Sequence, residues 1–190
     1  MSTLAATATA RAAGVAASSR MRTDELRAVQ APLKARYRED PDAARLTLRA
    51  TATLEEGIAC SVDTGRAIAT AGLHPATGGD GSLLCSGDML LEALAACAGV
   101  TLRAVATSLG LDVADGTVTA EGDLDFRGTL AVGRDAPVGF GAIRLRFDLV
   151  TTAGDEELAT LVRLTERYCV VLQTLANGPE LSTTHRRTQA

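Results

Sequence analysis

The sequence predicts a mixed α+β fold of antiparallel strands with two long central helices, each carrying one cysteine. Three observations predict it. Polar and apolar residues alternate with period two in separate stretches, the mark of half-buried strands. Two long apolar stretches recur instead at three- and four-residue steps, the mark of helices. The order of these stretches is three strands, long helix, two strands, long helix, short strand, with no internal repeat.

Residues 1–20 are almost entirely Ala, Thr, Ser, Gly and Arg without an acid. Such a composition buries too little to order itself, so a disordered extension is expected. A transit-peptide bias is the alternative, and Met21 is a candidate true start. Residues 21–45 form an N-terminal helical segment. Thr23 or Asp24 caps a short helix through Val29, and Pro32 restarts one through Arg38. Asp40 and Pro41 break the chain before the main domain, 46–190.

In that domain Leu46, Leu48, Ala50, Ala52 and Leu54 alternate with Thr and Arg as a first strand. Glu55-Glu56-Gly57 turns the chain into a second strand, Ile58–Val62, and Asp63-Thr64-Gly65 into a third, Arg66–Ala71. The loop HPATGGDGS is too rich in Gly and Pro to be regular. Ser86 is expected to cap the first long helix, Gly87 to about Leu109, which Gly110 stops. Asp88 and Glu92 sit in its first turns, where the helix dipole favours negative charge. With few polar residues, this helix is expected to be buried on most faces. Thr117–Arg127 and Ile143–Thr151 read as two longer strands. Asp155 to about Ala176 reads as the second helix, ended by Asn177-Gly178-Pro179, and Leu181–Thr184 as a closing strand.

Composition narrows the function. The 190 residues are 46% hydrophobic, enough for a core. The net charge of −4 gives no electrostatic reason to expect nucleic acid or an anionic membrane as partner. Three Phe, two Tyr and no Trp argue against a base-stacking platform. No run approaches eighteen uninterrupted apolar residues, so no transmembrane helix is expected. The cysteines at 60, 85, 97 and 169 match neither zinc spacing nor a secreted disulfide scaffold, and His74 and His185 are the only histidines. No metal site is therefore expected, and the thiols are either packing residues or catalytic in a reducing cytosol.

On the first helix Leu90, Leu94, Cys97, Thr101 and Val105 share one face, with Ala95, Ala96, Ala98 and Gly99 around Cys97. On the second, Leu158, Val162, Thr165, Cys169 and Leu172 line up similarly. Two packed helices can bring the sulfurs together. Buried cysteines also commonly just fill space, and spacing alone leaves both readings open.

The segment LLCSGDMLLEALAACAGVTLRAVA resembles the central helix of the OsmC/Ohr hydroperoxide-reductase family, with its polar cap, acid and apolar run ending in Ala-Ala-Cys. ERYCVVLQTL is similar to the family's second cysteine helix, which also follows two strands. The resemblance spans about Leu46 to Thr184. It implies an OsmC-like fold built as an intertwined homodimer, cytoplasmic, reducing organic hydroperoxides without metal, flavin or haem. Carried over, Cys97 is the peroxidatic cysteine and Cys169 the resolving one, with an external dithiol as reductant.

The sequence departs from this pattern in three places. Family peroxidases set a first-hairpin arginine and a glutamate ten residues before the reactive cysteine, a cation favouring the thiolate and an acid holding the cation. Here that glutamate position is Gly87, with Asp88 about 100° further round the helix, and the hairpin LEEGIACS carries Glu55 and Glu56. Val170 stands where a proline usually follows the second cysteine, which predicts an unkinked helix with Cys169 deep inside it. Supporting candidates are His74, in the loop before the helix, Asp88, and Cys85 at the helix N-terminus, a rival reactive thiol. Arg66 and Arg103 are further possible substitutes for the cation, Arg103 lying on the other side of the helix from Cys97; the simplest expectations are a solvated strand-end charge for Arg66, an acid partner for Arg103 and a hydrogen bond within its own turn for His74. Cys60 is expected to pack. The rival reading is a non-peroxidase OsmC-like protein binding a small apolar or electrophilic ligand at the dimer interface; a purely structural dimer module is a third.

Overall fold

The computed structural model describes residues 22–39, 51–54, 59–63, 68–131 and 136–188. Expectations for residues 1–20, Met21, the start of the first strand, Glu55, Glu56 and Arg66 fall outside them, as does the side chain of Cys60.

Helix α1 spans Thr23–Glu39 without interruption and carries Pro32 inside it, so the expected break between two short helices is absent. Strands β1 (Thr51–Leu54), β2 (Ala59–Asp63) and β3 (Ile68–Gly72) pair antiparallel in sequence order. The loop that follows is less irregular than its composition suggests. It holds a 3₁₀ turn, Pro75–Thr77, and a two-residue strand β4, Leu84–Cys85, parallel to β3. Strands β5 (Val113–Leu124) and β6 (Phe140–Thr151) form a separate antiparallel ribbon. Both start earlier than their alternation indicates. Asp125 ends β5 by capping a short helix α3, Phe126–Thr129, through its side chain to the Arg127 N–H.

Helix α2, Ser86–Leu109, is the centre of the fold. Its N-cap is Cys85, in extended conformation; Ser86 is already helical and does not cap. Gly110 ends the helix at φ 73°, where its N–H and that of Leu111 reach back to Ala106 and Thr107 carbonyls. By length and mean hydropathy, α2 is long and apolar enough to cross a bilayer. Counting uninterrupted apolar residues misses this because Glu92, Thr101 and Arg103 divide the run. In the fold, the helix packs instead against β5 and α4.

The buried stripe of α2 is Leu94, Ala98, Leu102 and Ala106, at four-residue steps. It lies beside the face expected from Leu90, Cys97, Thr101 and Val105. The two alanines decide this, because small side chains let the neighbouring elements approach. Leu102 and Ala106 join Val113 and Leu161 in one core cluster; Leu94 and Ala98 join Cys169 in another. The rest of α2 is half-buried or exposed, Val100 at 73%, so the helix is not buried on most faces as expected. Gly122 shows how tightly the ribbon closes over the helix, since a Cβ there would meet the Phe140 ring at 2.5 Å and approach Leu91.

The second cysteine segment is not one helix. Helix α4 covers Asp155–Tyr168 and α5 covers Val170–Ala176, with Cys169 extended between them at φ −72°, ψ 105°. Glu157 starts α4 by accepting the Gly154 N–H at 2.9 Å. Residues 178–188 form no strand, so the expected closing strand at Leu181–Thr184 is absent.

Candidate thiol site

Cys97 lies in the middle of α2, and Cys169 sits in the break between α4 and α5. The fold packs these two side chains into one cluster. Cys169 is fully buried and Cys97 partly so. Around them are Leu94 and Ala98 of α2, Val118 and Ala120 of β5, Ile143, Leu145 and Phe147 of β6, and Val171 and Leu172 of α5. The pair therefore sits in an apolar pocket, where an unassisted thiolate would be disfavoured.

Assistance comes from hydrogen-bond donors. Burial pushes the Cys97 thiol up. The Val171 N–H, the Cys169 thiol, the Thr101 hydroxyl and the Val170 N–H more than offset that and bring it below its ordinary value. Thr101 is one helical turn beyond Cys97, so its hydroxyl lies over the same face. Cys169 moves the opposite way. Burial is the main cause, and the Cys97 sulfur, as acceptor and as charge, adds to it against the N–H groups of Leu172 and Val171. The surroundings thus favour a thiolate on Cys97 over one on Cys169.

The break at Cys169 makes this possible. In an unbroken helix the amides of residues 170–172 would bond the carbonyls of 166–168. Here α5 starts afresh at Val170, and its first amides are free to turn toward sulfur. The expectation that Val170 in place of proline leaves Cys169 inside a continuous helix is therefore overturned. The segment kinks at Cys169 without proline. Local helix propensity cannot reveal this, because what packs against the break is a distant element, α2.

The other expected participants are elsewhere. His74 caps the 3₁₀ turn, its Nδ1 accepting the Ala76 N–H at 3.0 Å, and its ring stacks on Phe126 with centroids 4.9 Å apart. It is thus held in its own turn. Asp88 is exposed in the first turn of α2, and Cys85 caps that helix near Phe140 and Leu124. None of the three is among the groups acting on Cys97. Arg103 donates to the Val113 carbonyl, tying α2 to the start of β5, where an acid partner was expected. Among the described residues no charged side chain contributes to the Cys97 thiol, and no cluster of His, Cys, Asp and Glu has the form of a metal site. The sequence places Thr101 on the Cys97 face and Val170 beside Cys169, but marks neither of them, nor Val171, as acting on the thiol. Two of them act through backbone N–H groups, which every residue but proline carries, so no residue type flags them.

A mixed α+β chain with a central apolar helix presenting one thiol to a second, helix-breaking thiol defines a class of thiol-bearing α+β proteins. The model of the OsmC-like protein family matches residues 79–184, more than half the chain, and the protein belongs to that family. No curated protein matches the chain. Among solved structures, an OsmC-like protein from Mycoplasma pneumoniae superposes with a TM-score of 0.60 at 17% identity, covering 70% of this chain and 89% of that one. An organic hydroperoxide resistance protein from Legionella pneumophila gives 0.55 at 20% identity, over 70% and 90% of the two chains. One from Elizabethkingia anophelis gives 0.55 at 22%, over 70% and 91%. At these identities the likeness establishes the fold.

Proposed function

We propose that the protein is a cysteine peroxidase that reduces organic hydroperoxides through Cys97 and Cys169. The observation that carries this is the contact between the two thiols, with Cys97 biased toward thiolate and Cys169 toward thiol. The Cys97 thiolate attacks the peroxide O–O bond, forming a sulfenic acid and releasing an alkoxide that takes a proton to leave as alcohol. The Cys169 thiol then condenses with the sulfenic acid, forming the disulfide and releasing water. An external dithiol returns both cysteines to the reduced state, itself becoming a disulfide. The apolar lining suits an organic peroxide better than hydrogen peroxide, and the cycle suits a cytoplasm that supplies dithiols.

Stopped-flow mixing of pre-reduced protein with cumene hydroperoxide tests this. One peroxide should be consumed for each pair of thiols lost, faster than with hydrogen peroxide. The second reading, a binder of a small apolar or electrophilic ligand, is favoured by the absence of a charged side chain at Cys97 among the described residues. It requires saturable binding of an apolar fluorescent probe with no peroxide consumed.

The working form is proposed to be a homodimer. Support comes from uncovered apolar side chains: Val100 on α2, Val150 on β6 and Val170 beside the thiol site are each more than half exposed. Light scattering should give twice the 19.6 kDa chain mass; a single-chain mass at micromolar concentration contradicts the proposal.

A further inference from the structure

Arg103 takes no part at the thiols, and it lines a cavity of about 570 Å³ more than one turn further along α2 than Cys97. That volume falls within the roughly 300–1,000 Å³ typical of small-molecule sites. Three elements wall it: the first turn of α1, the last turns of α2 and the start of β5. Bonds from side chain to backbone fix their spacing. The Thr23 hydroxyl donates to the Thr107 carbonyl at 2.8 Å and holds α1 onto α2. Arg103 Nη1 donates to the Val113 carbonyl and holds the start of β5. Between them Gly110 turns the chain, and the Thr151 hydroxyl pins the Asp112 carbonyl at 2.6 Å. The floor is apolar: Ala106 and Val113 are buried, Leu26 and Leu111 half-buried. None of these residues belongs to the cluster around Cys97 and Cys169.

A guanidinium carries five N–H donors in a planar fork. Among the described residues the Arg103 side chain bonds one partner, the Val113 carbonyl, and no carboxylate. Both threonine hydroxyls in the wall spend their protons on carbonyls, Thr23 on Thr107 and Thr107 on Arg103, each at 2.8 Å. The side-chain donors left over in the wall are therefore those of Arg103. We propose that this cavity binds a small carboxylic acid with an apolar tail, its carboxylate on the Arg103 fork and its tail against Leu26, Leu111 and Val113. A planar carboxylate matches two parallel N–H donors. Asp112 also lines the cavity. Its negative charge, with the net charge of −4 on the chain, sets a dianion such as a phosphate monoester at a disadvantage to a monoanion. The site is separate from the thiols and stands whether or not the protein is a peroxidase.

The test is calorimetric titration of the full chain with sodium octanoate, with backbone amide NMR shifts mapping where it binds. One octanoate per chain is expected, with shifts centred on Leu26, Thr107 and Leu111. 1-Octanol, which keeps the tail without the charge, and octyl phosphate should each bind more weakly. Arg103→Gln removes the cation and should weaken octanoate by about tenfold or more, the loss of a hydrogen bond to a charged group, while 1-octanol binds as before. Because Arg103 also ties β5 to α2, Leu26→Glu provides a second variant. It leaves that tie in place, puts a carboxylate into the α1 wall, and should abolish octanoate binding in a chain folded by circular dichroism. If Arg103→Gln does not fold, Leu26→Glu decides alone. No saturable octanoate binding, wild-type affinity in either folded variant, shifts centred on Cys97, or tighter binding of octyl phosphate overturns the proposal.

Discussion

Cys97→Ser should reduce peroxide consumption to the level of the remaining thiols, at least about a thousandfold below wild type, because a serine hydroxyl is not ionised at neutral pH and the nucleophile is lost. The effect belongs to the chemical step and not to folding. Cys97 is partly exposed and Ser differs from it by a single atom, so the thermal transition should move little. Cys169→Ser should behave differently. The first peroxide is still reduced, since attack needs only the Cys97 thiolate, but the cycle then stalls at the sulfenic acid. A single burst with one product per chain, and capture of Cys97 by dimedone, are the expected results. Equal multiple turnover in Cys97→Ser and wild type would remove Cys97 from the mechanism. Continued turnover in Cys169→Ser with a dithiol present would show that the reductant resolves the sulfenic acid itself.

The second large effect is on stability. Leu161 is fully buried where α4 crosses α2, against Leu102, Ala106 and Val113. Leu161→Ala removes three carbon atoms from a fully buried site. The expected cost is about 2–5 kcal/mol, on the order of a 10 °C drop in melting temperature for a chain of this size. Thermal unfolding followed by circular dichroism measures it. Leu90→Ala, on the exposed part of α2, should cost far less in a monomeric preparation. An equal loss at both positions would show that the core does not sit between α2 and α4.

Much of the fold was legible in the sequence because it is written in periodicity. The alternation around Val118 to Leu124 and from Ile143 to Val150 marks the ribbon, and Gly110 marks the end of α2 by the left-handed conformation it alone adopts freely. The order of elements, with Ala-Ala-Cys in one helix and a second cysteine after two strands, was enough to reach the family. What was not legible was set by partners distant in the chain. Pro32 lies within a continuous helix. The closing strand suggested by Leu181–Thr184 has no partner strand among the described residues, and four residues of suitable composition do not form a strand without one.

The candidate site divides the same way. Cys97 and Cys169 stand out because cysteine is rare here and falls once in each segment. The groups that bias their protons do not stand out. Residue type points to His74, Asp88 and Cys85, whose side chains have obvious chemistry, yet His74 is engaged by Ala76 and Phe126 and the other two lie at the start of α2. The donors that do act are a threonine hydroxyl and the first amides of α5. The helix breaks at Cys169, and Gln173 bridges that break through a bond to the Glu166 carbonyl seven residues away. The resemblance expects an arginine from the first hairpin, which lies outside the described side chains; among the described residues no charged side chain acts on the Cys97 thiol.

The most direct test of the central claim is to treat fully reduced protein with one equivalent of cumene hydroperoxide, block the remaining thiols, and map the disulfides by mass spectrometry. The account predicts one intrachain bond, Cys97 to Cys169, formed in step with peroxide loss, with Cys60 and Cys85 recovered as free thiols. A protein that loses the peroxide but links Cys85, or that keeps Cys97 and Cys169 both reduced, contradicts it.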